Sequence, residues 1–143
     1  MKTLICTVGL PRSGKTTWAR AQGYPIVNPD SVRLALHGER FIGVAEPFVW
    51  AITFLMVRAL FLVGHETIIV DATNTTFKRQ EPWIKQFHTE ECKVCFHVIK
   101  TSKEICLKRA LDTNDNVIIP VIERMAEQYE IDSIKDYLFQ EKV

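Results

Sequence analysis

Short apolar runs alternate with longer helical stretches along most of the chain. Four runs, at residues 2–8, 24–27, 67–71 and 93–99, are rich in aliphatic and β-branched residues and predict strands. Because a helical stretch separates each run from the next, the pattern is typical of a parallel sheet covered by helices on both faces. We therefore predict an α/β fold with about four to five parallel strands.

The most apolar stretch of the chain, residues 47–63, opens with Pro47 and stops at Gly64. Proline in the first turn and glycine after the last are ordinary helix punctuation. The stretch is shorter than the roughly 20 residues that cross a bilayer, and it carries Arg58. We interpret it as a buried helix of a protein without membrane contact. Its predicted core positions are Phe48, Ile52 and Leu55.

Three further helices follow from local signals. Residues 77–90 are predicted to be helical, with a possible restart at Pro82, since an interior proline costs a hydrogen bond. Residues 101–104 form a capping-box pattern that starts a short helix. Pro120 opens a final helix.

Composition narrows the class of protein. With 143 residues, 47% of them hydrophobic, the chain is expected to form one domain over residues 1–143. A net charge of +1 provides no broad basic surface for coating nucleic acid, so such a substrate would be gripped locally by a few arginines. The first residues lead directly into a strand without a secretory pattern, which predicts a cytoplasmic protein with reduced thiols. No obligate protein partner is predicted.

One cluster has the composition of a zinc site. His88, Cys92, Cys95 and His97 are four potential ligands close together in the chain. The strand predicted there places Cys95 and His97 on one face and Cys92 at its start, which makes tetrahedral convergence awkward. We interpret these residues as core or edge packing.

Directly behind the first predicted strand comes the sequence Gly9-Leu10-Pro11-Arg12-Ser13-Gly14-Lys15-Thr16. This is the G-x-x-x-x-G-K-T phosphate-binding pattern in its strand-then-helix setting. Backbone N–H groups would curl around the phosphates, Lys15 would reach the β- and γ-phosphates, and the Thr16 hydroxyl would bind Mg²⁺. The candidate nucleotide contacts are Gly9, Pro11, Arg12, Ser13, Gly14, Lys15, Thr16 and Thr17.

The residues after the second strand suggest what becomes of the γ-phosphate. Asp30 and Arg33 lie at i and i+3, on one side of a helix that begins with Asn28 or Asp30 as its cap. A carboxylate can accept the proton of an attacking alcohol, and a cation can hold the acceptor. The alternative is that Asp30 only caps its helix and pairs with Arg33.

Acidic and short polar residues follow the third strand. Asp71 could hold Mg²⁺ through a water, orient Thr16, or serve only as a turn residue. Thr73 and Asn74 could orient Asp71 or touch the acceptor.

The segment after the fourth strand, residues 100–119, is long enough to fold over the nucleotide as a small helical lid. It carries Arg109, which could stabilise the charge of the transferred phosphoryl group or could belong to a solvated surface pair with Lys108. Arg12, within the phosphate loop, could contact donor phosphate, acceptor phosphate or solvent.

Three motifs together resemble the kinase domain of bacteriophage polynucleotide 5′-hydroxyl kinase, within the P-loop kinase superfamily and similar to AAA_33 domains. They are residues 9–20, then Asn28-x-Asp30-x-x-Arg33, then Asp71-x-Thr73-Asn74, and they follow one another in the same order and spacing. The resemblance runs through almost the whole chain. Three positions depart from the pattern, with Arg12 replacing a glycine, Ala72 an acidic residue and Thr113 a second lid arginine.

The resemblance implies transfer of the γ-phosphate of ATP, with Mg²⁺, to the 5′-hydroxyl of DNA or RNA. Asp30 would activate that hydroxyl, Arg33 would hold the phosphate on the acceptor's 3′ side, and Arg109 would act on the donor. Two alternatives stay open at this point. One is a kinase of a small alcohol such as a sugar, nucleoside or antibiotic, and the other is a non-catalytic nucleotide-binding module.

Overall fold

The computed structural model describes residues 1–129, and they form the predicted α/β fold. Within them, parallel strands lie in the order β2-β3-β1-β4. Each predicted run contributes one strand, although the edge strand β2 is reduced to two residues. The strands are β1 (Lys2–Val8), β2 (Ile26–Val27), β3 (Thr67–Val70) and β4 (Cys92–Val98).

Helices connect the strands and follow them to the end of the described region. The order is α1 (Lys15–Gln22), α2 (Pro29–His37), α3 (Glu46–Leu62), α4 (Phe77–Phe87), α5 (Lys103–Asp112) and α6 (Ile119–Glu127). Asn28 rather than Asp30 caps α2, because its side chain accepts a hydrogen bond from the Asp30 amide. Ser102 caps α5. The helix restart that we considered at Pro82 is not observed. Helix α4 continues through Pro82, and Trp83 and Phe87 beyond it are buried.

The two faces of the sheet are covered by different helices. Side chains alternate along a strand, so Ile5 and Ile69 face α1 and pack on Ala19. Leu4 and Val70 point to the other face, where α3 and α4 cover them in the larger core cluster. Because both faces are covered, β1 is buried from Leu4 to Val8.

Helix α3 is oriented differently from our prediction. Phe48 and Leu55 are 69% and 64% exposed, so their assignment to the core is wrong, and Ile52 is only half-buried. Besides Glu46 in the first turn, the buried side chains are Val49, Thr53, Val57 and Phe61, at steps of four residues. Because this helix is apolar on every side, its sequence has little periodicity to indicate which face meets the sheet.

By length and composition, the stretch Gly43–Leu62 is apolar enough to cross a membrane, and a core helix passes the same test. Here Val57 and Phe61 of this stretch pack into the core against the sheet. The exposed apolar side chains of α3 therefore lie on the outer side of a helix that covers the sheet.

The histidines and cysteines of the possible zinc cluster take part in packing or local hydrogen bonds. Cys92 and Cys95 are buried in β4. His97 stacks on Trp18 with ring centroids 3.8 Å apart. The backbone N–H of Val94 donates to Nδ1 of His88.

Candidate active site

The phosphate loop lies at the centre of the carboxyl edge of the sheet, because β1 runs between β3 and β4. Ligands of parallel sheets bind at this edge. The backbone of the loop turns through positive φ at Arg12 (68°) and Gly14 (100°). At Gly9, a Cβ atom would lie 2.8 Å from Oγ of Ser13 and 3.2 Å from the backbone carbonyl oxygen of Ile99, so the close approach favours glycine. Such turns expose successive N–H groups to an anion.

Lys15 is buried at the first position of α1. Its Nζ donates to the carbonyl oxygen of Leu10 at 2.7 Å. Burial lowers the pKa of Lys15, and the negative charge of Asp71 partly opposes that shift. The ammonium also donates to Oγ of Ser13 at 3.5 Å and is thus held inside the loop, where a bound phosphate would replace these partners.

The next residue, Thr16, meets the end of β3. Its Oγ1 donates to Oδ2 of Asp71 at 2.6 Å, and Nδ2 of Asn28 donates to the same oxygen at 3.1 Å. Asp71 is 3% exposed. A hydroxyl and a carboxylate beside a phosphate loop are oxygen donors of the kind that Mg²⁺ prefers, so this pair fits the metal. Asn28, considered from the sequence as a helix cap and as part of the Asn28-x-Asp30-x-x-Arg33 motif, thus also contacts the candidate metal ligand Asp71.

Asn74 does not turn toward Asp71 or the acceptor side, contrary to the roles considered for it. It is buried, its Nδ2 donates to the carbonyl of Thr7, and its Oδ1 accepts from Nε1 of Trp83 at 3.3 Å. The carbonyl oxygen of Thr73 accepts from the N–H of Gly9. These two residues thus attach the loop after β3 to β1 and α4.

Asp30 and Arg33 lie together on α2, as their spacing predicts. Nη1 of Arg33 donates to Oδ1 of Asp30 at 2.7 Å. The Asp30 side chain is 78% exposed, so this pair adds little to stability and its carboxylate is accessible to a substrate. Asp30 therefore combines exposure with an adjacent cation, and it does not cap the helix.

Arg33 has a second carboxylate partner, Glu46, which sequence reasoning missed. Nε and Nη2 of Arg33 donate to the two carboxylate oxygens of Glu46 at 2.6 to 3.2 Å. Although burial opposes it, hydrogen bonding to Glu46 raises the pKa of Arg33, and the charge of Asp30 adds to that rise. The only sequence signal was a carboxylate directly before Pro47 at the start of α3.

This pairing fixes the orientation of the guanidinium. Glu46 occupies the edge formed by Nε and Nη2, so within residues 1–129 the edge formed by Nη1 and Nη2 is engaged only by the exposed Asp30. An arginine edge of this kind matches the geometry of a phosphate. Glu46 therefore fixes one edge of the Arg33 guanidinium, and the other edge is directed toward Asp30.

Helices α5 and α6, the first of them within the predicted lid of residues 100–119, rest directly on the phosphate loop. Leu10 packs with Cys106 and Ala110 of α5 and Ile122 of α6 in a small core cluster. Oγ1 of Thr101 donates to the carbonyl of Ser13 at 2.7 Å. These contacts connect α5, α6 and the segment before them to the loop that would hold the donor.

Arg109 lies against the phosphate loop. Its Nη1 donates to the carbonyl of Arg12 at 3.0 Å and comes within 3.8 Å of the position that a Cβ on Gly14 would take. Arg109 is exposed and lies beside the loop's phosphate-binding turn. It is therefore not a surface residue remote from the site.

Arg12 does not contact solvent alone, because its Nη2 donates to Oδ2 of Asp115 at 2.8 Å. Arg40, from the loop before α3, binds the other carboxylate oxygen at 2.8 Å. Hydrogen bonds from Arg40 and then Arg12 lower the pKa of Asp115 to about 2. Sequence reasoning missed Arg40 and Asp115, which lie 75 residues apart.

A family model described as an AAA domain, AAA_33, matches residues 4–131. The chain therefore belongs to the AAA_33 family and has the fold of a P-loop kinase. This fold implies that the chain binds a nucleotide. The sequence has no significant match among curated proteins.

Two solved structures of Pnkp1/Rnl/Hen1 assemblies contain chains that are similar to this one. A chain of the Pnkp1/Rnl/Hen1 complex is 29% identical with a TM-score of 0.66, and the match covers 76% of this chain and 39% of that one. A chain of the Pnkp1/Rnl/Hen1 RNA repair complex is 23% identical with a TM-score of 0.67, covering 90% and 46%. This chain spans less than half the length of both. The predicted resemblance to a polynucleotide kinase domain is confirmed.

A small-molecule kinase has the same fold. A gluconokinase from Sinorhizobium meliloti 1021 is 16% identical with a TM-score of 0.59, and the match covers 95% of this chain and 79% of that one. At this identity the likeness concerns the fold alone. The comparisons thus establish a kinase-type nucleotide-binding protein without naming its acceptor.

Proposed function

We propose that this protein is an ATP- and Mg²⁺-dependent kinase that transfers the γ-phosphate to the 5′-hydroxyl of DNA or RNA. The observation that carries the proposal is the ion pair between the exposed Asp30 and Arg33. The guanidinium of Arg33 is fixed on its other edge by an ion pair with Glu46. The similarity to a chain of the Pnkp1/Rnl/Hen1 complex supports a nucleic-acid acceptor. The net charge of +1 agrees with an acceptor gripped at its end rather than along its length.

In this proposal, Asp30 accepts the proton of the 5′-hydroxyl as its oxygen attacks the γ-phosphorus. The bond between the γ-phosphorus and the β,γ-bridging oxygen breaks, and ADP leaves. The open edge of Arg33 takes the phosphate on the 3′ side of the attacking nucleotide, in competition with Asp30. Acceptor binding would thereby free Asp30 from its ion pair at the moment when the base is needed.

The donor side uses the phosphate loop and the lid. Lys15 exchanges its carbonyl partner for phosphate oxygens, and Arg109 offsets charge on the transferred group. Thr16 and Asp71 would hold Mg²⁺, which would offset negative charge on the donor phosphates.

The test is transfer of label from γ-labelled ATP to 5′-hydroxyl DNA and RNA strands, with 5′-phosphorylated strands as controls. We expect label on the 5′-hydroxyl strands alone, and a loss of about 10²-fold or more in turnover for Asp30→Asn. Asp112→Asn removes a similar exposed carboxylate at the end of α5 and is expected to keep the wild-type rate. Full activity of Asp30→Asn would refute its role as base.

A small-alcohol acceptor is the second candidate, favoured by one observation. A cavity of about 540 Å³ lies between α1, α2 and α3 and reaches Thr16, Asn28 and Asp71. Apolar side chains, among them Val32 and Ile52, line much of it, which suits a compact acceptor beside the metal site. ATP binding without label on any strand would reject the nucleic-acid acceptor and direct the search to small alcohols.

A further inference from the structure

A second arginine lies close to the Asp30–Arg33–Glu46 cluster. Arg79, in the first turn of α4, places its guanidinium 4.6 Å from the centre of the Trp50 ring. Arg33 approaches the same ring at 6.0 Å. One indole of α3 therefore brings together two cations that come from α2 and α4.

The two arginines differ in their partners. Arg33 is paired with both Asp30 and Glu46. Arg79 has no hydrogen-bonded or ion-paired carboxylate in residues 1–129, although it is exposed enough to be reached from solvent. Within the described residues, it is therefore the arginine of this cluster whose guanidinium donors no carboxylate engages.

The surroundings of Arg79 do not favour an isolated charge. Partial burial lowers its pKa, and the charge of Arg33 lowers it further, while Glu46 opposes these shifts from a distance. The carboxylate of Glu46 is already committed to Arg33. In addition, Nε1 of Trp50 is buried with no partner among the described residues. An anion bound here would accept charge-assisted hydrogen bonds from the guanidinium of Arg79.

We infer that Arg79, supported by Trp50 beside Arg33, forms a second acceptor-phosphate site. The inference rests on the proposed function, in which Arg33 holds the phosphate nearest the 5′-hydroxyl. Arg79 then takes the next phosphate along the strand, because an oligonucleotide presents its anions in a row. The enzyme should therefore prefer acceptors with two successive phosphates over a nucleoside 3′-monophosphate.

The test compares Arg79→Met with Lys78→Met. Methionine keeps an unbranched stem to pack on Trp50 and removes the charge. Lys78 is the exposed neighbour on the same helix, so the control makes the same change in net charge without touching the ring. The substrates are a 5′-hydroxyl hexathymidylate and thymidine 3′-monophosphate, and a labelled hexathymidylate reports binding by fluorescence anisotropy without ATP.

For Arg79→Met we expect KM for the hexanucleotide to rise about tenfold, the loss of one charge-assisted contact, with kcat unchanged. The slope of log K against log salt concentration should fall by about 0.7. KM for the nucleoside 3′-monophosphate should not change, and Lys78→Met should behave as wild type. A purely structural arginine would move kcat or stability without altering the salt slope.

The outcomes separate the two proposals. If wild type labels the hexanucleotide and Arg79→Met has the same KM and salt slope, the second phosphate site is refuted and the kinase function stands. If no label is transferred but binding depends on Arg79 with the expected slope, the site stands and the transfer reaction is refuted. If the wild type does not bind the hexanucleotide, both are refuted.

Discussion

Glu46→Gln is the substitution that most directly tests how the acceptor side is built. Glutamine has nearly the shape of glutamate, but it lacks the charge and turns one acceptor oxygen into an N–H donor. In the native protein, both carboxylate oxygens accept from Nε or Nη2 of Arg33. The variant therefore loses one side of the two-point hydrogen bonding to Arg33. It also places the new amide N–H group opposite an N–H donor of the guanidinium.

The burial of the pair sets the size of the effect. Breaking a buried ion pair costs about 3–5 kcal/mol, whereas an exposed pair contributes at most about 1 kcal/mol. The side chains of Arg33 and Glu46 are 14% and 12% exposed, which is close to the buried case. Glutamine retains one acceptor and Asp30 retains its bond to Arg33, so we expect a loss of about 2 kcal/mol. That corresponds to a decrease in Tm of about 4–8 °C.

The assay is urea and thermal unfolding of Glu46→Gln beside Glu81→Gln. The control breaks the Glu81–Lys85 pair, whose side chains are 35% and 72% exposed, and should cost less than about 0.5 kcal/mol. Arg33 in the first variant should bind Asp30 more tightly, so turnover should fall as well. Equal stability of the two variants would refute the view that Glu46 anchors Arg33.

Two further predictions concern the phosphate loop and its neighbours. Asp115→Asn should lower stability near neutral pH, because it removes the charged partner that Arg12 and Arg40 share. The pKa of Asp115 is lowered from 3.8 to about 2 in the folded protein. The loss of stability relative to the wild type should therefore disappear as the pH falls through this interval. Unfolding curves of both proteins between these limits and neutrality test this, and a constant deficit would contradict it. Asp71→Asn should weaken ADP binding about tenfold with Mg²⁺ but not with EDTA, since it changes the oxygen that accepts from Thr16. Calorimetric titration under both conditions measures it, and equal losses would argue against a metal role.

Features carried by contiguous residues were predictable. The phosphate loop occupies one uninterrupted segment between a strand and a helix, so its pattern alone indicates its conformation. The Asp30–Arg33 pair follows from a spacing of three residues on one helix. The prediction made the edge strand β2 too long. In the described structure β2 pairs with β3 alone, so its length depends on that one neighbour.

Other features depended on how distant segments meet. Glu46, the buried partner of Arg33, lies 13 residues away across a loop. The contact of Arg12 with Asp115 spans 103 residues. Neither spacing has a periodicity that sequence could reveal. Asn74 looked like a site residue because it follows a strand end, yet its positive φ of 43° accompanies a side chain that is buried and bonded to β1 and α4.

By itself, the sequence determined the alternation of strands and helices, the phosphate loop with Lys15 and Thr16, and the pairing of Asp30 with Arg33. Tertiary structure alone decided which face of α3 meets the sheet, which carboxylate holds Arg33, and how Arg40 and Asp115 join Arg12. The physical reason is the range of the interactions. Backbone conformation and helical spacing act between near neighbours in the chain, whereas ion pairs and helix faces depend on packing between elements far apart in sequence.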